Sequence, residues 1–84
     1  MAEAEFDRAI EQLRENHVRV TPQRKTILNY LISHHTHPSV EMIYEDLKGS
    51  VDNISMATVY NTLKLFVDYN LVIELKNGDG STHY

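Results

Sequence analysis

The segment from Ser55 to Val67 carries side chains suited to recognising another molecule. Tyr60 and Asn61 stand next to each other in it. A tyrosine ring can lie on a thymine methyl group, and an asparagine amide can pair with adenine. Both residue types also have ordinary roles, since a tyrosine beside an apolar stripe is usually a core residue with a wetted hydroxyl, and an asparagine can be a solvated helix residue. The pair therefore indicates either base reading or ordinary packing, and the neighbouring residues must decide.

The periodicity of this segment predicts a helix that begins after Ser55, a good N-cap residue. One apolar stripe recurs at helical spacing and consists of Met56, Val59, Leu63, Phe66 and Val67. The opposite face consists of Ala57, Thr58, Asn61 and Lys64. No acid occurs between Ser55 and Val67, whereas a helix that needs only solubility would mix Glu and Lys, so this face suits an anionic partner. Leu65 is also predicted to point outward, which favours the alternative that the face packs on another helix.

A second set of side chains suited to an anion lies earlier in the chain. Four cations fall within a stretch that contains a single acid, Glu15; they are Arg14, Arg19, Arg24 and Lys25. Thr21 and Pro22 predict a helix start, because threonine is a suitable N-cap and proline is tolerated at the first helical position. Basic residues in the first turn oppose the helix dipole, so helix stability does not explain them, whereas contact with a phosphate would.

The histidines and the lack of cysteines limit the remaining chemistry. His34, His35 and His37 cluster at a predicted helix end, where an imidazolium is favourable; a neutral imidazole is also a common metal ligand, but one ion needs three or more ligands. The chain has no cysteine, which excludes disulfides and thiolate zinc sites within it. It also has no concentrated Ser/His/Asp set and no phosphate-binding glycine loop. Enzymatic activity is therefore not expected, and any metal site would be incomplete within these residues.

Four helices and a β-hairpin are predicted to position these side chains. The helices cover residues 4–15, a segment from Pro22 to about Ser33, a segment capped by Ser39 that ends at Gly49, and the segment after Ser55. The period then changes to two between Leu71 and Leu75, and Asn77 to Gly80 form a strong turn signal before a returning strand. A mainly α order of α-α-α-α-β-β with a small hairpin is that of a winged helix-turn-helix. The 84 residues, 1–84, are predicted to form one such domain.

The charge and hydropathy of the chain bear on its partners and location. The formal net charge is −4 at pH 7, which argues against a nucleic-acid partner because phosphate contacts supply most non-specific affinity. The distribution of charge matters more than the sum, and the acids concentrate away from the cations described above. No apolar run approaches the ~18 residues of a membrane span. The acidic N-terminus does not resemble a signal peptide, so a cytoplasmic location is expected.

Several segments together resemble the ferric uptake regulator family of bacterial metal-dependent repressors. They follow one another over nearly the whole chain and are Arg19-Val20-Thr21-Pro22-Gln23-Arg24, His37-Pro38, Ile43-Tyr44, Ile54-Ser55-Met56-Ala57-Thr58-Val59-Tyr60-Asn61-Thr62-Leu63 and Gly78-Asp79. Within the family, Asn61 after Tyr60 and His37 before Pro38 are more similar to the peroxide-sensing branch than to the iron-sensing branch.

This resemblance implies the DNA-binding domain of a homodimeric repressor that responds to peroxide stress or iron. Its metal-loaded form would bind an AT-rich palindromic operator in double-stranded DNA. Tyr60 and Asn61 would face bases, and the residues near them would be Ser55, Ala57, Thr58 and Lys64. The residues that would hold phosphates are Arg19, Gln23 and Arg24.

The resemblance also implies metal ions. His37 would supply one ligand to a regulatory Fe²⁺ or Mn²⁺ ion and would be an oxidation target, and a structural Zn²⁺ would be held by cysteines in the full-length protein. The other ligands and the dimerisation domain would follow Tyr84, so these residues alone are expected to be monomeric and to bind none of these ions tightly. The resulting hypothesis is that a metal at a hinge-side site sets the separation of two winged helices. The alternative, from another functional class, is a winged-helix protein-interaction module whose uncharged helix face docks a protein.

Overall fold

The computed structural model of the chain describes residues 2–50, 54–76 and 78–84. Its elements, in chain order, are α1 (Ala2–Glu15), α2 (Pro22–Ser33), α3 (Val40–Leu47), α4 (Met56–Asp68), β1 (Leu75–Lys76) and β2 (Thr82–His83). The two strands form an antiparallel hairpin, the wing, in which Leu75 lies opposite His83 and Lys76 lies opposite Thr82. The predicted winged helix-turn-helix architecture is thus confirmed. Of the predicted turn, Asn77 lies outside the described residues.

Three of the helices begin on a hydroxyl side chain, as their sequences predict. Thr21, Ser39 and Ser55 each accept a hydrogen bond from the backbone N–H three residues further on, at 3.2, 3.3 and 3.1 Å. Each bond satisfies one of the N–H groups that a helix start leaves without a partner, and such a cap contributes about 1 kcal/mol. Local sequence alone therefore sets where α2, α3 and α4 begin.

The end of α4 redirects the chain in a way that the sequence pattern did not indicate. Asn70 has a left-handed backbone with φ of 60°, and the N–H of Leu71 donates to the carbonyl of Phe66 at 2.8 Å. This is a Schellman motif, usually built on glycine, and α1 ends in the same way at His17, also with φ of 60°. The motif folds Leu71 back, half-buried, against the core.

The predicted strand from Leu71 to Leu75 is wrong for most of its length, because β1 comprises only Leu75 and Lys76. Leu71 is held against α4 by the Schellman motif and cannot join a ladder at the same time. The partner strand also turns away, since His83 forms a β-bridge with Ser39 and the N–H of Tyr84 donates to the carbonyl of Pro38 at 2.9 Å. Period-two alternation predicted a longer strand than these two contacts permit.

The core lies between the four helices and is closed by the last residue of the chain. Its buried apolar side chains are Ala9, Ile10, Leu13, Ile27, Leu28, Tyr30, Ile43, Leu47, Val59, Leu63, Phe66 and Tyr84. Val59, Leu63 and Phe66 of α4 are fully buried, so this helix cannot rotate without exposing its apolar face to water. Across the described ranges, no helix is long and apolar enough to cross a membrane.

Two apolar residues of α4 depart from their predicted positions. Met56 was expected in the buried stripe but is 41% exposed, because the first turn of α4 extends beyond the core to the edge of an open groove. Leu65 was expected to point outward, but it is half-buried and packs against the core. Leu65 therefore no longer argues that the outer face of α4 is a packing surface.

A polar bridge joins α2 to α3 beside the core. The Tyr30 hydroxyl donates a short hydrogen bond to the Asp46 carboxylate, and the Tyr30 ring stacks on His34 with centroids 4.0 Å apart and planes 12° apart. Burial, followed by the hydrogen bond and the charge of Asp46, raises the pKa of Tyr30 to about 12. The folded state therefore holds the Tyr30 proton after an exposed tyrosine would have lost it.

Replacement of Tyr30 tests this bridge through its pH dependence. At pH 8, Tyr30→Phe should lower the free energy of unfolding by about 1 kcal/mol, because one hydrogen bond is lost. Above pH 10, Tyr30 loses its proton in the unfolded chain at a lower pH than in the folded chain. The free energy of unfolding of the native protein therefore falls as the pH rises, and the variant, which has no hydroxyl at this position, lacks this loss. The stability advantage of the native chain over the variant in urea unfolding should therefore fall by about 1.4 kcal/mol between pH 8 and pH 11, which is enough to cancel or slightly reverse it. Asp46→Asn retains the burial of Tyr30 and should keep most of the pH dependence; a constant difference for Tyr30→Phe would contradict the assignment.

Candidate nucleic-acid interface

The outer face of α4 is open to solvent. Ala57, Asn61 and Lys64 are exposed, and their spacing places them along one side of the helix. Tyr60 lies beside them and is 47% exposed. Because the opposite side of α4 is buried in the core, these four side chains are presented outward by a rigid support. Their role in binding stays a prediction.

The two hydroxyl residues at the start of α4 interact with each other. The Ser55 Oγ accepts from the Thr58 N–H at 3.1 Å, and the two side-chain oxygens are 2.9 Å apart. Either hydroxyl can be the donor in the bond between the two oxygens. These two candidate site residues therefore also stabilise the helix start, and a loss of binding on their replacement would have two possible causes.

A polar cleft of about 230 Å³ lies between the start of α2 and the middle of α4. We call it the α2–α4 cleft; its lining residues are Thr21, Gln23, Arg24, Thr58, Asn61 and Thr62. The fold thus brings two residues predicted to hold phosphates next to a residue predicted to face a base, although they are far apart in sequence. Thr21 and Thr62 also line the cleft, although neither is predicted from the sequence to bind a ligand. Thr62 could have been noticed because it is a polar residue on the inner side of an amphipathic helix, where it is buried.

Arg24 is held in place at this cleft by the backbone before α2. Its Nη1 donates to the carbonyl oxygen of Arg19 at 2.5 Å. A guanidinium has five N–H donors, so this bond fixes its position while leaving other donors for an anion. Ion pairs among residues 2–50, 54–76 and 78–84 join Lys48 to Glu45 and Lys76 to Glu74, so neither Arg19, Arg24 nor Lys64 is neutralised by a carboxylate there.

The cations that cluster in sequence do not all reach this surface. Lys25 and Arg14 line a different depression, between α1 and α2, that also contains Asp7 and Glu11. Those two acids lower the positive potential around Lys25 and Arg14. The fold therefore divides the basic cluster and leaves Arg24 at the cleft beside α4.

An open groove of about 510 Å³ separates α4 from the wing. Met56, Ala57 and Tyr60 line its α4 wall, and Ser81 and Thr82 line its wing wall. The carboxylate-bearing residue Glu41 of α3 also lines the groove and disfavours a phosphate there. The two sides of α4 thus differ: the α2–α4 cleft suits an anion, and the α4–wing groove suits uncharged, partly apolar groups.

The wing is ordered at its tip by its own side chains. Asp79 Oδ1 accepts from the N–H of Ser81 at 2.9 Å and from its hydroxyl at 2.7 Å. These bonds, the side-chain one first, hold the pKa of Asp79 below its ordinary value. Gly80 has φ of 88°, a conformation that glycine adopts without steric cost. The returning strand is therefore set by the turn that precedes it.

His37 lies on the exposed loop before α3. Its backbone is left-handed, with φ of 53°, which costs about 1–3 kcal/mol in a residue other than glycine. It shares a depression of about 270 Å³ with His34 and His35, yet within the described residues no three His, Cys, Asp or Glu side chains are placed to hold one ion. His37 can therefore supply one ligand to a metal, and the described residues do not complete a site around it.

Comparison with known proteins adds independent observations. The sequence profile of the ferric uptake regulator family matches residues 15–84. The peroxide-responsive repressor PerR of Staphylococcus aureus is 49% identical over 82 residues, which are 98% of this chain and 55% of that protein. This chain thus spans about half the length of the curated relatives that it matches.

Solved structures agree with the sequence relatives. One describes peroxide sensing and gene regulation by PerR from Streptococcus pyogenes; it superposes with a TM-score of 0.88 at 44% identity, over 93% of this chain and 54% of that one. A second, of PerR with zinc (PerR-Zn-Zn), gives a TM-score of 0.89 at 45% identity, over 94% and 51%. Both likenesses cover the helices and the wing together.

Substitution at Ser55 tests its role as the N-cap of α4. Ser55→Ala should lower the free energy of unfolding by about 1 kcal/mol, because the N-cap acceptor for Thr58 is lost. Ser55→Asp is the matched control, since aspartate also caps and its charge favours the helix start; it should retain native stability. Urea unfolding followed by circular dichroism measures both. Equal stabilities for the alanine and aspartate variants would contradict a capping role.

Proposed function

We propose that this chain, which belongs to the ferric uptake regulator family, is the winged-helix DNA-binding domain of a metal-dependent transcriptional repressor that responds to peroxide stress. The observation that carries the proposal is the meeting of Arg24 and Asn61 at the α2–α4 cleft. An arginine that could donate hydrogen bonds to a phosphate and an amide that could pair with a base therefore lie at one edge of α4. The other side of this helix is packed in the core. The names of the relatives, peroxide-responsive repressors, support the regulatory part of the proposal.

In this proposal the outer face of α4 enters the major groove, which is wide enough to admit a helix. Asn61 donates to and accepts from an adenine edge, and Tyr60 lays its ring on a thymine methyl group. Ala57 is small enough to let the backbone of the helix approach the base edges. The α4–wing groove, which combines the apolar Met56 and Ala57 with a carboxylate, receives uncharged base edges and no phosphate.

Phosphate contacts in this proposal come from the start of α2. Arg24 is already oriented by the Arg19 carbonyl, so little side-chain entropy is lost when its remaining donors bind an oxygen. We also assign phosphate contacts to Arg19 and Gln23, and we expect Lys64 to lie near the bases; Gln23 lines the α2–α4 cleft. Such contacts set register and affinity, whereas the bases set sequence preference.

We propose an AT-rich palindrome as the operator and a homodimer as the binding form of the full-length protein, because two linked domains at two half-sites raise the effective concentration of each. These residues alone would be monomeric and bind weakly, in keeping with their net charge of −4. The proposed protein is not an enzyme and acts where its DNA is, in the bacterial cytoplasm.

His37 is the residue of this chain that we propose as a ligand of the regulatory Fe²⁺ or Mn²⁺ ion. Its exposed imidazole fits one coordination position, and the remaining ligands, like those of a structural Zn²⁺, belong to residues outside this chain. A divalent ion bound in this way supplies a charge around which ligands from separate segments are fixed in one geometry. Metal binding at His37 would in this way set the separation of two winged domains, and loss of the metal or oxidation of His37 would release DNA.

A second candidate is a protein-interaction module, favoured by one observation. Met42 and Met56 are 49% and 41% exposed, Met56 lines the α4–wing groove together with Tyr60, and exposed methionines are common at adaptable protein-binding surfaces. A protein partner would bury these side chains and would be insensitive to the sequence of a DNA duplex. The two candidates therefore differ in their response to base sequence and to salt.

Replacement of Asn61 decides between them. The native chain should bind an AT-rich duplex more tightly than a GC-rich duplex of equal length, and Asn61→Ala should remove about 1–3 kcal/mol of that preference, because one bidentate base contact is lost. Fluorescence anisotropy with both duplexes at one salt concentration measures it. Asn29→Ala, an asparagine exposed on α2, is the matched control and should keep the preference. A native chain that does not distinguish the duplexes, or binds neither, would favour the protein-interaction module.

Replacement of Arg24 tests the phosphate contact separately. Arg24→Ala should weaken binding to both duplexes about equally and reduce the slope of log K against log salt by ~0.9, since one counterion fewer is released. Lys48→Ala removes the same charge from a side chain that is paired with Glu45 at 2.7 Å, so its slope should remain native. If the Arg24 and Lys48 variants showed the same slope, Arg24 would not touch a phosphate.

A further inference from the structure

The wing and the loop that carries His37 are joined by one side chain. His83 lies on β2, and its Nδ1 is 2.7 Å from the carbonyl oxygen of His37. A carbonyl oxygen can only accept, so the proton of this bond belongs to Nδ1. The other ring nitrogen, Nε2, is 3.2 Å from the hydroxyl oxygen of Ser81. Both ring nitrogens therefore lie within hydrogen-bond distance of a polar atom, Nδ1 on the side of the His37 loop and Nε2 on the side of the wing.

Backbone contacts place the two segments side by side at the same point. His83 forms a β-bridge with Ser39, and the N–H of Tyr84 donates to the Pro38 carbonyl at 2.9 Å. Pro38 is fully buried, so the loop before α3, which pairs with His83 and Tyr84, is anchored in the core. The residues from His37 to Ser39, the His37 segment, thus lie beside the end of the wing, joined to it by one β-bridge at Ser39 and by the Tyr84–Pro38 hydrogen bond.

The His37 segment is also held in an unfavourable backbone conformation. His37 has φ of 53°, and such conformations persist only where the surroundings impose them. The bond from His83 ends on the carbonyl of this same residue. A change in the orientation of the His37 peptide would weaken this bond and release the His83 ring from its position.

The wing end of this connection reaches the groove beside α4. Ser81, which contacts the His83 ring, is held by Asp79 through two hydrogen bonds, and Ser81 and Thr82 line the α4–wing groove opposite Ala57 and Tyr60. Ser81 thus lies between the His83 ring and the wall of that groove. The contacts form a continuous path from the His37 carbonyl to the wing.

We propose that His83 is a positioning residue that couples the His37 segment to the wing, so that ligation of the His37 imidazole shifts the wing relative to α4. The functional meaning of this coupling rests on the proposed function, because the wing matters only if the groove beside α4 meets a ligand. The coupling itself is a property of the chain and can be measured without DNA. His83 acts through its two neighbours and touches neither DNA nor metal in this role.

Zn²⁺, a diamagnetic ion, is the probe for an NMR test on the 84-residue chain. In the native chain, added Zn²⁺ should shift the amide resonances of the His37 segment and, with the same titration curve, those of Ser81 and Thr82. In His83→Phe, which keeps a ring but has no donor, the shifts in the His37 segment should persist and the wing shifts should be lost. In His83→Gln, whose amide can still donate to the His37 carbonyl, the wing shifts should return in part. His37→Ala should abolish both sets.

Each other outcome overturns the proposal. Wing shifts that persist in His83→Phe would mean that the backbone bridge carries the coupling without the side chain. The loss of both sets of shifts in His83→Phe would make His83 a zinc ligand in place of a positioning residue. If His83→Phe does not fold, the native chain still decides: a ¹⁵N spectrum must show Nδ1 of His83 protonated and hydrogen-bonded to the His37 carbonyl, and an unprotonated Nδ1 would contradict the coupling.

The failure of this proposal is distinguishable from the failure of the proposed function. If the native chain shows the coupled Zn²⁺ shifts but no preference between AT-rich and GC-rich duplexes, the coupling stands and the proposed DNA-reading function fails. If the base preference depends on Asn61 but the wing shifts do not depend on His83, the proposed function stands and the coupling fails.

Discussion

The burial of one side of α4 is the constraint on which the rest of the structure depends. Val59, Leu63 and Phe66 are fully removed from water, and each would lose on the order of 2 kcal/mol of transfer free energy if the helix rolled outward. The rotation of α4 about its axis is therefore fixed by apolar packing. That packing determines which side chains of α4 are presented to solvent, and Tyr60 and Asn61 are among them.

Charge is arranged by the same packing. The chain is acidic in sum, yet the helix start that carries Arg24 lies against α4 at a cleft where no acid is found among the lining residues. On the opposite side of α4, Glu41 lines the groove toward the wing. Helix α4 thus lies between a cleft that suits an anion and a groove that disfavours one. In the proposed complex, this difference would orient a duplex as well as help to bind it. A uniformly basic domain would attract DNA without this preference for one orientation.

The wing and the start of α3 form a second constraint that is independent of the hydrophobic core. Main-chain and side-chain bonds from β2 hold the segment around Pro38, and the same strand lines the groove beside α4. A residue proposed as a metal ligand and a surface proposed to meet DNA are therefore parts of one hydrogen-bonded unit. Regulation by a ligand requires a physical connection of this kind, because an ion shifts an equilibrium only through contacts that differ between two states.

The sequence by itself determined the four helices, the starting residues of α2, α3 and α4, the outward face of α4 and the winged-helix order, because N-caps and helical periodicity are local signals that act over a few residues. Only the tertiary structure decided the length of the wing strands, the exposure of Met56 and the half-burial of Leu65. It also decided which of the clustered cations share a surface with Asn61, and that His83 would meet the His37 carbonyl. Those outcomes depend on pairings between residues distant in the chain and on left-handed backbones at Asn70 and His37. Residue types do not specify such features locally, so the competing contacts of the folded chain settle them.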